Sequence, residues 1–142
     1  MSSLANMQTN VTSLGLEPIG FLKFWTDCIN QGQIDEVIAL YRKGAVLMPT
    51  FSPNSVNNEM DLRQYFEVLA AKKGLQVRVH EKNLNTLQID KHRYVVSGSY
   101  DFSFEVDGTL RTFPSRFTFV IDLGQECPIL HHHSSQLPRS LS

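Results

Sequence analysis

The residues of this chain best suited to chemistry lie near its C-terminus, where three histidines and two serines run without interruption from His131 to Ser135. They follow a short apolar stretch that is typical of a β-strand. Because alternate side chains of a strand point to opposite faces, His131, His133 and Ser135 share one face, and His132 and Ser134 share the other. An imidazole has an unperturbed pKa of about 6.5 and can accept and relay protons near neutral pH. Alternation alone does not decide which of the two faces is inward, and our expectation is that His131, His133 and Ser135 project into an interior pocket.

Two other uses of this segment stay open at the level of sequence. A purification tag usually carries about six histidines at an extreme end of the chain, beside a linker. Here three histidines are followed by Gln136-Leu137-Pro138, which is unlike a tag. Part of the histidine run could instead serve a subunit interface.

Three further residues carry hydroxyl groups at positions where they could orient a water and a small substrate. Thr50 lies between Pro49 and Pro53 in a predicted loop, Tyr65 lies on the apolar stripe of a predicted helix, and Tyr100 lies on the apolar face of a predicted strand. Each has a purely structural alternative. Thr50 could cap a turn, and the two tyrosines could fill the core with their hydroxyls satisfied.

Helices are predicted in the first half of the chain. The first opens at Glu17-Pro18, since proline is tolerated in a first turn, and its apolar residues recur at helical spacing as far as Ile29. A short second helix begins near Ile34. A third begins after Asn58, which has the side chain of a helix N-cap.

Strands dominate from Leu75 onward, where the hydrophobic period changes to two. The clearest alternation spans residues 94–105, a second strand spans 110–122, and Asp107-Gly108 between them is a strong hairpin signal. Helices followed by about four long strands predict the α+β class. We expect N-terminal helices packed on a curved antiparallel sheet that forms a cone with an internal pocket.

Length and charge narrow the organisation further. A chain of 142 residues suits one domain, and we expect a flexible arm over residues 1–15, a single domain over 16–138 and a tail over 139–142. The net charge of −1 gives no basic surplus, so nucleic-acid binding is not expected. The chain shows neither a signal-peptide pattern nor an apolar run long enough for a membrane helix, which predicts a cytoplasmic protein without membrane contact. Cys28 and Cys127 form no C-x-x-C pair and are expected to be buried small residues.

Several motifs together resemble the nuclear-transport-factor-2-like superfamily. They are the order of elements, the phrase Asp-Leu-Arg-Gln-Tyr-Phe-Glu at 61–67, the strand at 115–120, and the ending His-His-His-Ser-Ser-x-x-Pro at 131–138. Within that superfamily the chain resembles the branch of the calcium/calmodulin-dependent protein kinase II association domain. It looks like the iota-class carbonic anhydrases of that branch, whose Leu-Pro-Thr motif corresponds here to Met48-Pro49-Thr50. The likeness covers roughly residues 18–138, but the tryptophan that usually precedes the final strand is missing.

This resemblance implies a small pocket enzyme that reversibly hydrates carbon dioxide to bicarbonate. The catalytic residues it implies are Thr50, Tyr65, Tyr100, His131, His133 and Ser135. Iota-class enzymes are known in metal-bound and metal-free forms, so the resemblance leaves the cofactor open, and our expectation is a site without one. If a metal is used, His131 and His133 could share it, provided a third ligand comes from elsewhere.

The resemblance to the kinase association domain implies a second function, a non-catalytic assembly module that binds a small carboxylate. Its ligand-binding residues would be Arg63, Arg116 and Ser134, although a surface or ion-pair role is the alternative for both arginines. Pairing about the predicted hairpin puts Tyr100 opposite Ser115 and sends Arg116 outward, unless a bulge near Pro114 reverses that face.

Two more expectations concern chemistry and assembly. An isomerase or cyclase of the ketosteroid-isomerase type would need an inward acid as its base, but Asp101 and Glu105 fall on the polar face of their strand. Related domains commonly form dimers through the outer face of the sheet, so we expect a homodimer. The residues placed on that face are Thr112, Thr118, Val95 and Leu110.

Overall fold

A computed structural model describes residues 17–141 of the chain. Within these residues the chain forms three α-helices, a short 3₁₀ helix and six β-strands. The helices are α1 (Pro18–Asn30), α2 (Ile34–Ala39) and α3 (Glu59–Ala70), with the 3₁₀ turn at Glu81–Asn83. The strands are β1 (Tyr41–Met48), β2 (Gln76–Val79), β3 (Asn85–Gln88), β4 (Arg93–Val106), β5 (Thr109–Asp122) and β6 (Ile129–Gln136). The arm predicted over residues 1–15 lies outside the described residues.

Local sequence signals explain where the helices begin. Pro18 occupies the first turn of α1, where its missing N–H costs no hydrogen bond. The Asn58 side chain accepts a hydrogen bond from the backbone N–H of Asp61 at 2.9 Å, which confirms the predicted N-cap of α3. No helix within residues 17–141 has both the length and the apolar character needed to cross a membrane.

The strands form one mixed sheet in the order β1-β6-β5-β4-β2, with β3 paired to β4 outside that path. The α+β prediction is confirmed, and the sheet is mixed because β1 lies parallel to β6. The Asp107-Gly108 hairpin is also confirmed. Both residues have positive φ, 53° and 79°, as a tight turn between twisted strands requires. From this turn the β4–β5 register runs without a break to Arg93 and Asp122.

A bulge at the start of β6 decides which histidines face inward. Ile121 of β5 pairs with Ile129, but Val120 pairs with His131, so β6 carries one extra residue at this point. An extra residue reverses the alternation of every side chain that follows it. Ile129 and His132 consequently both face the interior, although they are three positions apart.

The interior between the helices and the sheet is filled by aromatic side chains. Trp25 of α1 stacks on Tyr100 of β4 at 5.7 Å between ring centroids and meets Phe119 of β5 edge-on at 5.5 Å. Phe21 also contacts Phe119 edge-on, at 5.4 Å. Such pairs stabilise a fold by about 0.5–1.5 kcal/mol each beyond the burial of their area. The deep part of the predicted cone is therefore packed, and open space lies at its rim.

Two details differ from the sequence predictions. The strand β3 was not expected, because its residues are all exposed and show no apolar alternation. Of the two cysteines, Cys28 is buried as predicted. The prediction is wrong for Cys127, which is exposed in the turn before β6.

Candidate functional site

A buried histidine, His132 of β6, forms the centre of the candidate site. Its Nδ1 atom lies 2.8 Å from the Tyr41 hydroxyl, and its Nε2 atom lies 3.2 Å from the Tyr100 hydroxyl. The Tyr41 hydroxyl also accepts a hydrogen bond of 3.2 Å from the Trp25 indole N–H. The imidazole stacks on Phe119 with ring centroids 3.8 Å apart and is only 2% exposed. Both ring nitrogens therefore have a partner in the interior.

Hydroxyl groups continue this network from Tyr100 to the rim of the sheet. The Tyr100 hydroxyl donates to Ser134 Oγ at 2.5 Å, and Ser134 Oγ is hydrogen-bonded to Thr50 Oγ1. Tyr100 and Ser134 are 0% and 4% exposed, whereas Thr50 is half-buried. The network begins in the core and reaches solvent at Thr50, directly after β1.

Two recesses flank the loop that follows Thr50. One, of about 290 Å³, is lined by Thr50 and Ser134 and also by His133 and Ser135. The other, of about 600 Å³, is lined by Tyr65 and lies between α3 and the loop. Both recesses are also lined by Ser52, Asn54 and Ser55, so the loop forms their common wall.

Tyr65 closes the network on the helix side. Its hydroxyl accepts a long hydrogen bond, 3.4 Å, from the backbone N–H of Phe51. Burial raises the pKa of Tyr65 to about 12, against the opposing effect of hydrogen bonds with Phe51 and Thr50. Thr50, Tyr65, Tyr100 and Ser134, which the sequence analysis proposed separately, are brought together at this rim.

Burial sets the protonation states of the network. Desolvation holds the pKa of His132 well below its usual value of 6.5, and the neighbouring His131 and His133 lower it further. Burial likewise raises the pKa values of Tyr41 and Tyr100 well above 10. At neutral pH the imidazole and both phenols are consequently uncharged, and the site is a set of neutral hydrogen-bonding groups.

The expectation that His131, His133 and Ser135 face the interior is wrong. His133 is exposed, while His131 and Ser135 are half-buried on the outer face of the sheet. His133 and Ser135 nevertheless line the recess of about 290 Å³ beside Thr50 and Ser134, whereas His131 does not. The bulge between Ile129 and His131 causes the reversal, because it turns the even-numbered residues of β6 inward.

Arg63 lines neither of the two rim recesses. It lies on the exposed side of α3, and its guanidinium donates to the Asp35 carboxylate of α2 at 2.8 Å. This ion pair raises the pKa of Arg63. The surface alternative for Arg63 therefore describes its position, and a pocket shared by Arg63 and Arg116 is not formed.

Arg116 lies on the outer face of the sheet, as simple hairpin pairing predicts. Tyr100 pairs with Ser115, and Arg116 is flanked across the strands by Ser99 and Ser135. It contributes to a shallow outer cavity of about 460 Å³. The other residues lining that cavity are Asn83, Asn85, Ser97, Gly98, Ser99, Phe117, Thr118, His133 and Ser135.

Sequence reasoning missed three members of the inner network: Trp25, Tyr41 and His132. Trp25 and Tyr41 resemble ordinary core residues, and their polar atoms become informative only when His132 is known to lie between Tyr41 and Tyr100. A signal for His132 was present in the strand pattern itself. Nothing in the sequence located the extra residue that decides between the two parities.

Within residues 17–141, no three side chains among His, Cys, Asp and Glu gather closely enough to hold a metal ion. His131 and His133 lie on the outer face, with no third such ligand beside them in that part of the chain. The metal-sharing arrangement considered from the sequence is therefore not formed by the described residues.

Comparison with known proteins identifies the family. The model of the calcium/calmodulin dependent protein kinase II association domain family matches residues 16–138. A search of curated protein sequences finds no match to this chain.

Solved structures share the fold. A structure from Xanthomonas campestris described as such an association domain superposes with a TM-score of 0.75 at 24% identity, covering 84% of this chain and 85% of that one. An NTF2-like protein with a cystatin-like fold from Novosphingobium aromaticivorans gives 0.66 at 8% identity, covering 84% and 79%. A protein from Xanthomonas campestris described as a polyketide cyclase gives 0.60 at 12% identity, covering 84% and 89%. At these identities the likeness shows the fold alone.

Proposed function

This chain belongs to the calcium/calmodulin-dependent protein kinase II association domain family, and from that premise we propose that its rim recess reversibly hydrates carbon dioxide to bicarbonate. The observation that carries the proposal is the meeting of the Thr50, Ser134 and Tyr100 hydroxyls beside a recess of about 290 Å³. Of the catalytic residues that the resemblance to iota-class carbonic anhydrases implies, Thr50, Tyr65 and Tyr100 lie at this rim, while Ser134 takes the place in the hydroxyl network that was expected for Ser135.

The chemistry requires a water oxygen to bond to the carbon of carbon dioxide while one C=O π bond becomes a C–O⁻ group. The water loses one proton, which passes to buffer at the open mouth. Hydroxyl donors fixed at the rim would stabilise the developing carboxylate oxygens, since preorganised donors act where charge appears in the transition state. In this proposal the Thr50 hydroxyl donates a hydrogen bond to a developing carboxylate oxygen, and Ser134 and Tyr100 hold Thr50 in position.

A stopped-flow assay with a pH indicator at pH 8 tests the proposal. We expect hydration above the buffer blank, and an approximately tenfold fall in Thr50→Val, because loss of one well-placed hydrogen bond removes about 1 kcal/mol or more of transition-state stabilisation. Thr118→Val is the matched control, since Thr118 is half-buried on the outer face. Folded protein with no rate above the blank would remove the hydratase proposal.

A second candidate function, binding of a small oxyanion such as a carboxylate, is favoured by the outer cavity around Arg116. Within the described residues the Arg116 guanidinium has no ion pair and no acidic residue lines its cavity. Arg42, Arg63, Arg78 and Arg93 each pair with an aspartate. A cation beside serine hydroxyls offers charge-assisted hydrogen bonds to an anion.

We also propose that the chain forms a homodimer through the outer sheet face, which carries Thr118 and Val95. Thr118 lines the Arg116 cavity, so a dimer on this face and a bound anion would compete. The cytoplasmic location predicted from the sequence remains a prediction.

Titration with inorganic phosphate, followed by backbone NMR and light scattering, tests both uses of this face. Anion binding predicts saturable shifts around Ser99 and Ser135 that are lost in Arg116→Gln and kept in Arg111→Gln, an exposed arginine of the same strand. A homodimer predicts twice the monomer mass at micromolar concentration, decreasing as phosphate is added. A monomer throughout would refute the dimer, and absent or unsaturable shifts would refute the anion site.

A further inference from the structure

The direction of each hydrogen bond in the inner network follows from which groups can donate a proton and which can accept one. An indole N–H can only donate, so Trp25 fixes the Tyr41 oxygen as an acceptor. At the other end, the geometry makes the Tyr100 hydroxyl the donor to Ser134. A phenol has one proton, so the Tyr100 oxygen must accept from His132 if their contact is a hydrogen bond.

These assignments determine the tautomer of His132. If Nε2 carries the proton that Tyr100 accepts, a neutral imidazole has an unprotonated Nδ1. The Tyr41 proton then has an acceptor at Nδ1, 2.8 Å away. The opposite tautomer would leave the buried Tyr41 proton without an acceptor among the described residues, and an unpaired buried donor is costly. Burial also keeps the imidazole neutral, which agrees with a single ring proton.

The hydrogen bonds between Ser134 and the rim can be assigned a direction in the same way. Ser134 accepts from Tyr100, and the oxygen available to its own proton within the described residues is Thr50 Oγ1. One lone pair of the Thr50 oxygen is thereby occupied, and Thr50 donates its own proton, to the Tyr65 hydroxyl with which it is hydrogen-bonded or to a ligand in the recess. Every bond from Trp25 to Thr50 runs in one direction, from the core to the rim.

We propose that Trp25, Tyr41 and His132 are positioning residues that orient the Thr50 hydroxyl as a donor at the recess. The site then favours ligands that offer an acceptor oxygen, as an oxyanion or carbonyl compound does, over cationic ligands that only donate, and no Asp or Glu among the described residues lines the recess. The inference deepens the proposed function, because it concerns the same recess, but it is tested by binding and by the tautomer instead of by turnover. It also defines a specificity that the hydroxyl content of the site alone does not give, since an unoriented hydroxyl can donate or accept.

The first measurement is the ¹⁵N spectrum of the His132 ring in the whole protein at pH 7.5. We expect one neutral tautomer, with the proton on Nε2. In Tyr41→Phe, which keeps the ring and removes the donor to Nδ1, we expect that single tautomer to be lost. A role confined to packing would leave the tautomer of Tyr41→Phe unchanged. A wild-type protein protonated on Nδ1 would overturn the assignment.

The second measurement is titration with two small probes, sodium formate as acceptor and methylammonium chloride as donor, followed by residue-resolved NMR. We expect formate to shift the Thr50 and Ser134 signals saturably and methylammonium to leave them unchanged. Ser134→Ala cuts the chain one step before Thr50, and we expect it to weaken formate binding by about tenfold. Ser103→Ala is the matched control, because the Ser103 hydroxyl is paired with Thr112 and lines neither this recess nor the Arg116 cavity. Methylammonium binding as tight as formate, or equal formate affinity in both serine variants, would overturn the proposal.

The two proposals for this recess can fail separately. If formate binds, His132 is protonated on Nε2 and carbon dioxide is not hydrated, the proposed direction of the hydrogen bonds stands and the hydratase proposal is refuted. If carbon dioxide is hydrated but His132 is protonated on Nδ1, the hydratase proposal stands and the proposed direction of the hydrogen bonds is refuted.

Discussion

Replacing His132 with alanine is expected to lower the free energy of unfolding by about 3–5 kcal/mol, while His133→Ala changes it by less than about 0.5 kcal/mol. The first change leaves a cavity beside Phe119, on which the imidazole stacks at 3.8 Å between centroids. It also leaves the buried Tyr41 hydroxyl without its acceptor and Tyr100 without one of its partners. The second change removes an exposed ring from the outer face.

Urea unfolding at pH 7.5 measures this difference, and the protein concentration must be the same for all variants because a dimer would add concentration-dependent stability. His132 and His133 are adjacent residues of the same type on the same strand, so the comparison isolates the effect of the sheet face on which each side chain lies. Equal losses for the two variants, or a larger loss for His133→Ala, would mean that β6 lacks the bulge.

The stability of the protein is expected to fall as the pH decreases below about 6.5, with a distinct contribution from His132. Burial holds the pKa of His132 well below 6.5 in the folded state, whereas an unfolded histidine titrates near that value. Above pH 6.5 both states are neutral at this group and it adds no pH dependence. Below it the unfolded state binds a proton that the folded state refuses, so the free energy of unfolding decreases by up to about 1.4 kcal/mol per pH unit.

Denaturant unfolding from pH 7.5 to pH 5.0, in wild type and in His132→Gln, isolates this term. The wild type should lose about 2 kcal/mol more than the variant over that range, because the glutamine side chain does not titrate. Carboxylates and the other histidines contribute to both proteins and cancel in the difference. Parallel pH profiles would show that His132 protonates in the folded state about as easily as in the unfolded state.

Local signals in the sequence were sufficient for the class of fold. The Pro18 start of α1, the Asn58 cap of α3 and the positive-φ turn at Asp107-Gly108 depend on residues next to one another in the chain. The β4–β5 pairing follows from that turn, which fixed Tyr100 opposite Ser115 and Arg116 outward. These signals did not predict the parallel pairing of β1 with β6, because a pairing partner 80 or more positions away produces no signal in the local sequence.

The candidate site shows the same division. The sequence by itself determined that hydroxyl and imidazole groups are concentrated in the last strand, and that Thr50, Tyr65 and Tyr100 stand at ends or inner faces of elements. The tertiary structure alone decided that His132 and Ser134, not His131, His133 and Ser135, complete the hydrogen-bonded network with Tyr100 and Thr50. The physical reason is that side-chain parity in a strand is a collective property: one extra residue, accommodated where β6 meets β5, reverses every side chain beyond it, and only the partner strand reveals where that residue is placed.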